Sequence, residues 1–369
     1  MHEYHSIGMV CEVCGLFVSN QKYITLFLPK FPIMKKTLFL IAFTLFTLLT
    51  AGAQKGPQLI IFDTDMGNDV DDALALDLLY KYQDMGKIKL IAIMSNKQGE
   101  ESARFIDIMN TWYGYPNIPI GIVRGGYVEK KLTNYASIVS DMKTEGKPAF
   151  KTTIPDVNQL PDAHQLYRQI LAKQADHSVI IISTGFSTNL ARLLETKADQ
   201  YSSLSGKQLI AKKVKYLSVM AGRFDKDDYT EYNVLNDIPA CAKLFAECPV
   251  PIITSPFELG LAVKYPGKSI ENDFNWAKLH PMVEAYKCYL KMPYDRPTWD
   301  VTSVLEVLEP NTYMTRTQAG NIFVDPKGRT HFTKSLDGKH YYLTITPEQG
   351  ESMKQYFIDI LKKKPKSQQ

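Results

Sequence analysis

Leu59-Ile-Ile-Phe62 runs into Asp63-Thr-Asp65-Met-Gly67-Asn68-Asp69-Val-Asp71-Asp72 and then into Ala73-Leu-Ala-Leu-Asp-Leu-Leu79. The first segment is a short apolar run, which predicts a buried strand, and the last is an amphipathic run of helical character. Five carboxylates crowd the ten residues between them. Strand, polar turn and helix in this order open an α/β unit, so the rest of the chain is read for more of them.

The alternation continues. Strands are expected at Gln58–Phe62, Lys87–Met94, Ile118–Val123, Ser178–Ser183, Val214–Met220 and Val250–Thr254, and helices near Asp71–Tyr82, Glu101–Tyr113, Asp162–Gln174, Thr188–Thr196 and Asp237–Cys248. That pattern predicts an α/β fold, a mostly parallel open sheet flanked by helices. Two further helices are expected near Pro281–Lys291 and Thr302–Leu308. From Asn321 to Ile345 the pattern turns to hairpins, with turn signals at Asp325-Pro-Lys-Gly328 and Asp337-Gly338, so a small C-terminal antiparallel hairpin appendage is expected. The domain reading is a catalytic domain over 54–320, with hairpins, helix and basic tail over 321–369 as part of it. Ligands of such sheets bind where βα loops converge at the carboxyl ends of the strands.

Five carboxylates in one loop repel one another when bare. Asp69 or Asp71 could cap the following helix and the others favour its positive end, but capping accounts for two of them at most. Hard oxygens crowded at a strand end suit a divalent cation such as Ca²⁺, which takes about 6–8 of them. An EF-hand loop from Asp63 would need Gly and Glu where Asn68 and Leu74 stand, so that reading fails. A phosphatase of the haloacid dehalogenase type also begins with a strand and Asp-x-Asp, with Asp63 as nucleophile; it wants Thr or a similar residue where Gly67 stands and is kept as an alternative.

The run resembles the signature of the inosine-uridine preferring nucleoside hydrolases, Asp-x-Asp-Pro-Gly-x-Asp-Asp-Ala after the first strand. Here Met66 replaces the usual Pro, and two extra residues lie between Gly67 and the Asp pair. The resemblance implies that Asp65 and Asp72 are calcium ligands, that Asp65 takes the proton of the attacking water, and that Asp71 binds ribose hydroxyls, with Asp69 competing for that role. Other segments match in order. Asn96 stands where the family has an Asn near the sugar. The turn Ser183-Thr-Gly-Phe-Ser-Thr188-Asn189 is similar to the family's turn that gives a carbonyl to calcium, here that of Thr188. Glu231-Tyr-Asn233 looks like the segment that holds the ribose, making Glu231 and Asn233 substrate ligands. Asp300, after Trp299, would close the calcium shell. The family often has His before this Asp, to help protonate the leaving base; indole does not titrate, so Tyr229 or His331 would have to donate, or the leaving group must be a good one.

The resemblance implies calcium-dependent hydrolysis of the N-glycosidic bond of ribonucleosides, or of a related N-ribosyl compound, to ribose and free base. It also implies a small-molecule nucleoside as partner and a homo-oligomer, dimer or tetramer. The rivals are a protein that binds calcium and a ribose-type ligand without turnover, and the phosphohydrolase.

Composition limits partners and place. A net charge of +4, with part of it in Lys362, Lys363, Lys364 and Lys366, gives no nucleic-acid patch. From Met34, Lys35-Lys36, the apolar Leu38–Leu49 and Ala51-Gly-Ala53 have the parts of a secretory signal peptide at 34–53, so the mature chain is expected to begin near Gln54 as a periplasmic or secreted protein. Residues 1–33 are then an upstream extension, and Cys11 and Cys14 carry no zinc site. The apolar stretch is shorter than the roughly 20 residues that span a bilayer, so no stable membrane anchor is expected. Cys241, Cys248 and Cys288 are expected as buried, unbridged thiols.

Overall fold

The computed structural model describes residues 56–127 and 134–369; the expected signal segment at 34–53, Cys11 and Cys14 lie outside them. Strand β1 (Gln58–Thr64) is buried along its last five residues and leads through the acidic loop into helix α1 (Asp71–Asp84). There follow β2 (Ile88–Ser95), α2 (Glu100–Trp112), β3 (Ile120–Ile122), α3 (Ala163–Ala172), β4 (Val179–Thr184), α4 (Thr188–Glu195), β5 (Val214–Met220), α5 (Ile238–Glu247) and β6 (Ile252–Ser255). Then come α6 (Pro281–Tyr289), α7 (Trp299–Leu308), β7 (Gly320–Val324), β8 (Thr330–Lys334), β9 (His340–Thr344) and α8 (Pro347–Leu361). Gly56–Gln369 packs as one unit.

The nine strands lie in the order β8-β7-β9-β6-β5-β4-β1-β2-β3. All neighbours from β9 to β3 run parallel, while β7 is antiparallel to β8 and to β9. The expected sheet is therefore present, and the C-terminal strands extend its edge through β9 on β6. Among the described residues no helix is long and apolar enough to cross a membrane.

Alternating side chains of β1 feed two layers, as the twofold period of a strand requires. Ile60 and Phe62 face a core built with α1, α2, α6, α7 and α8, and Ile61 faces one built with α3, α4 and α5. Helix α1 is buried at every position but Gln83, so its N-terminus is held rigidly under the strand ends. The order of strands reverses between β1 and β4. That is the switch point where the loops diverge and leave a crevice.

Two expectations are corrected. Cys241 and Cys248 are buried and free, but the free Cys288 is partly exposed, near the end of α6. Helix α7 begins at Trp299 rather than Thr302, which puts Asp300 in its first turn.

Candidate active site

The acidic loop folds back on itself directly after β1. Gly67 adopts φ +107°, a left-handed value that favours glycine, and a Cβ there would meet Ala136, Asn134 and Lys97 at 3.2–3.4 Å. Tyr135 pins the loop: its hydroxyl accepts from the Gly67 N–H at 3.0 Å and donates to the Asp69 carbonyl at 3.1 Å. No side chain caps α1, whose N-cap is Val70. The carboxylates are thus free of the capping role and available for other work.

Three of them converge. Asp65, Asp72 and Asp300, all buried, each offer an oxygen within 4.8 Å of the others. The Asp65 N–H bonds the Thr184 carbonyl at 3.1 Å, stitching the end of β1 to β4. Gly185 follows with φ +126°, and a Cβ there would lie 2.7 Å from an Asp65 oxygen. Asp72 accepts from Thr64 Oγ1, and its Oδ2 has no hydrogen-bond partner. Asp71 accepts the Asp300 N–H on Oδ2 at 2.9 Å, and its Oδ1 is likewise unpartnered.

Burial, reinforced by neighbouring carboxylates, holds Asp71, Asp72 and Asp300 well above the usual carboxylate range. Burial also pushes Asp65 up to about 6, although Asn68 and the Lys97 ammonium pull it back. Buried like charges with orphaned oxygens are costly unless a cation joins them. The donor set is all oxygen, three carboxylates on one centre, and it fits a hard divalent cation.

The remaining expected residues divide. Glu231 caps the short helix Tyr232–Asn236, taking N–H bonds from Asn233, Val234 and Gly222 at 2.8, 3.2 and 3.1 Å, and burial raises it to about 7. Asn233 donates to the Met220 carbonyl at 3.2 Å. Both line the same cavity as Asp65, Asp71 and Asp300.

Asn96 does not. It is fully buried, donating to Asp63 and accepting from the Phe186 N–H, both at 3.0 Å, so its amide positions the loops behind the cavity. Thr188 opens α4 with its hydroxyl on Asp237 and lines a neighbouring cleft. Asp63 has no exposure and accepts from Asn96, Asn189 and Tyr167 at 2.8–3.0 Å. A carboxylate so enclosed is poorly placed for the nucleophile's part in the phosphatase reading.

The cavity, of about 200 Å³, has a second wall that the sequence reading missed. Asp69, the surplus carboxylate, forms a two-pronged ion pair with Arg296, whose Nε donates at 2.8 Å. The guanidinium lies 5.0 Å from the Tyr289 ring and 5.2 Å from the Trp299 ring. Trp299 stacks on Phe257 at 5.4 Å and donates its indole N–H to the Phe257 carbonyl. The signal available in the sequence was a charge without a task beside a Trp where His was expected. Neither Tyr229 nor any histidine is among the described residues lining the cavity. His331 instead pairs with Asp325, and His280 is buried among Trp112, Trp276 and Phe274.

An acidic centre at the switch point of a doubly wound sheet, facing a flat aromatic wall, is a ligand site of the α/β enzyme class. The chain belongs to the inosine-uridine preferring nucleoside hydrolase family, whose model matches residues 60–365. It is accordingly a nucleoside N-ribosyl hydrolase. Among solved structures it is similar to a plant nucleoside hydrolase (18% identity over 84% of this chain and 100% of that one, TM-score 0.65). It is also similar to a purine-preferring ribonucleoside hydrolase from Gardnerella vaginalis (17%, 83% and 99%, TM-score 0.63). A third is the type III effector protein XopQ complexed with adenosine diphosphate ribose (14%, 86% and 96%, TM-score 0.59). No curated protein matches the chain significantly.

Proposed function

We propose that this chain uses one Ca²⁺ to hydrolyse the N-glycosidic bond of ribonucleosides, releasing ribose and the free base, after export from the cytoplasm. The observation that carries the reading is the convergence of Asp65, Asp72 and Asp300, with unpartnered oxygens on Asp72 and Asp71 beside them. Asp65, Asp72 and Asp300, with the Thr188 carbonyl, would hold the Ca²⁺, which would supply positive charge that acidifies a water and attracts ribose hydroxyls. Asp65 accepts the proton of that water. Asp71 Oδ1, Glu231 and Asn233 hold the ribose hydroxyls. The carboxylates around the ring stabilise the oxocarbenium character of the transition state. The base lies against Trp299 and Phe257.

Reducing-sugar release from purine and pyrimidine nucleosides, with and without a chelator, tests this. Ribose release abolished by the chelator and restored by calcium is expected. Release unaffected by the chelator removes the metal from the proposal, and phosphate release from nucleotides in its place would favour the phosphohydrolase. The absence of histidine from the described cavity lining favours one further reading, binding of a ribose-type ligand without turnover, in keeping with the adenosine diphosphate ribose bound to XopQ. Ligand-induced stabilisation without ribose release would select it. Mass spectrometry of the exported protein should find a chain starting near Gln54, and light scattering a dimer or tetramer.

A further inference from the structure

The departures from the family signature meet in one place. The enlarged loop supplies Asp69, Asp69 fixes Arg296, and Arg296 stands over Trp299, the residue found in place of the usual His. Three nitrogens of the guanidinium carry five N–H groups. Nε and one terminal nitrogen serve Asp69, and that same terminal nitrogen also reaches Tyr289 Oη at 3.1 Å. No acceptor among the described residues takes the other terminal nitrogen. Arg296 is partly exposed and is the one cationic residue among the described residues lining the cavity. Trp299 precedes Asp300, so the guanidinium sits at the planar-substituent end of the same cavity whose floor is the acidic centre.

We propose that Arg296 contacts the departing base and stabilises the negative charge that develops on it, in a cavity whose described lining holds no histidine. The proposal deepens the hydrolase reading and rests on it. The C1′–N bond breaks with its electron pair going to the base nitrogen, delocalised onto an acceptor atom at the edge facing the guanidinium. The water oxygen bonds C1′ and its proton passes to Asp65. The base anion then takes a proton from solvent and Asp65 returns one, so one water is consumed. Arginine does not lose its proton in this range, so its contribution is a fixed charge and a hydrogen bond. Asp69 is its positioning residue: it holds the fork in place so that nothing must reorganise as charge develops. Leaving groups that carry poorly stabilised charge should depend on Arg296 most.

The experiment compares inosine with 4-nitrophenyl β-D-ribofuranoside, whose leaving group departs readily as an anion without help. In Arg296→Met, kcat/KM for inosine should fall on the order of 10²–10³, as for loss of one donor aimed at a developing charge, and that for the nitrophenyl riboside by less than about tenfold. Arg296→Lys, which keeps the charge, should recover part of the inosine rate. The calcium-induced rise in Tm should persist in both variants, as a check that the acidic centre is intact. Equal losses on the two substrates would mean that Arg296 only supports the loop, and would overturn the inference while leaving the hydrolase reading standing. A wild-type chain that releases ribose from neither substrate would remove the hydrolase reading itself, and the inference with it.

Discussion

The backbone N–H of Asp300 donates to Oδ2 of Asp71 at 2.9 Å, joining the first turns of α1 and α7 across 229 residues of chain. One oxygen of Asp71 therefore builds the site and the other is left for ligand. Asp71→Asn can keep the acceptor and should raise KM for nucleoside while calcium still raises Tm. Asp71→Ala loses both oxygens, and should weaken the calcium response as well. An unchanged KM in both variants would return the ribose-binding role to Asp69.

The metal-free protein should lose stability as pH rises. Asp65 and Glu231 sit at about 6 and about 7 in the fold, and Asp71, Asp72 and Asp300 are raised well above 3.8. The fold keeps protons that the unfolded chain has already released, so stability is full below about pH 4 as far as these groups are concerned, and is lost as pH climbs through their folded values. His280, held neutral by burial, acts the other way, costing stability as pH falls below 6.5. From about pH 6.5 up through the Glu231 value of about 7 the carboxylates dominate. Tm in chelator should fall across that window, and the rise produced by calcium should grow. Asp300→Asn should flatten both trends; a metal-free Tm that climbs with pH would contradict the electrostatic account.

Asp65→Asn keeps the side chain's volume and removes its basicity. Turnover should drop by about 10²–10⁴ with the fold retained, and excess calcium should not restore it. Asp63→Asn is the companion variant, because it sets an amide against the Asn96 and Asn189 donors. It should lower Tm and confer no phosphatase activity. If Asp65→Asn released ribose normally, Asp65 would not be the base; phosphate release from nucleotides that is lost in a stably folded Asp63→Asn would pass the assignment to the phosphatase chemistry.

Tyr135→Phe removes the hydroxyl that bridges Gly67 and Asp69. Leaving a buried N–H and carbonyl without that partner should cost about 1–3 kcal/mol, read as a lower urea midpoint with unchanged m-value. The loop carrying Asp69 should also be less well held, so the inosine rate should fall more than the nitrophenyl riboside rate.

The sheet was legible because β1 and β4 carry continuous apolar runs, Leu59–Phe62 and Val179–Ile182, and Val214–Met220 matches its expected bounds at both ends. The acidic centre was legible because Asp65 and Asp72 sit within one strand–loop–helix unit. What escaped came from distance and from direction. Arg296 lies 227 residues from Asp69, and no local pattern announces the pair. Asn96 was expected near the sugar, but a residue name does not say which way an amide faces, and this one faces Asp63 and Phe186.

Strand β9 fills the place beside β6, and the segment after it returns to α1, where the Lys363 carbonyl meets Lys81 and the Lys366 N–H meets Asp84 at 2.8 Å. The helix that presents Asp71 and Asp72 is thus buttressed by residues 363–366, some 282 positions further along the chain. A chain cut short of His340 would have an open sheet edge at β6 and a bare flank on α1, so the site depends on contacts that span most of the described sequence. Contacts spanning the full sequence also close slowly. Formation of the site is therefore tied to the slow, long-range closure of the fold.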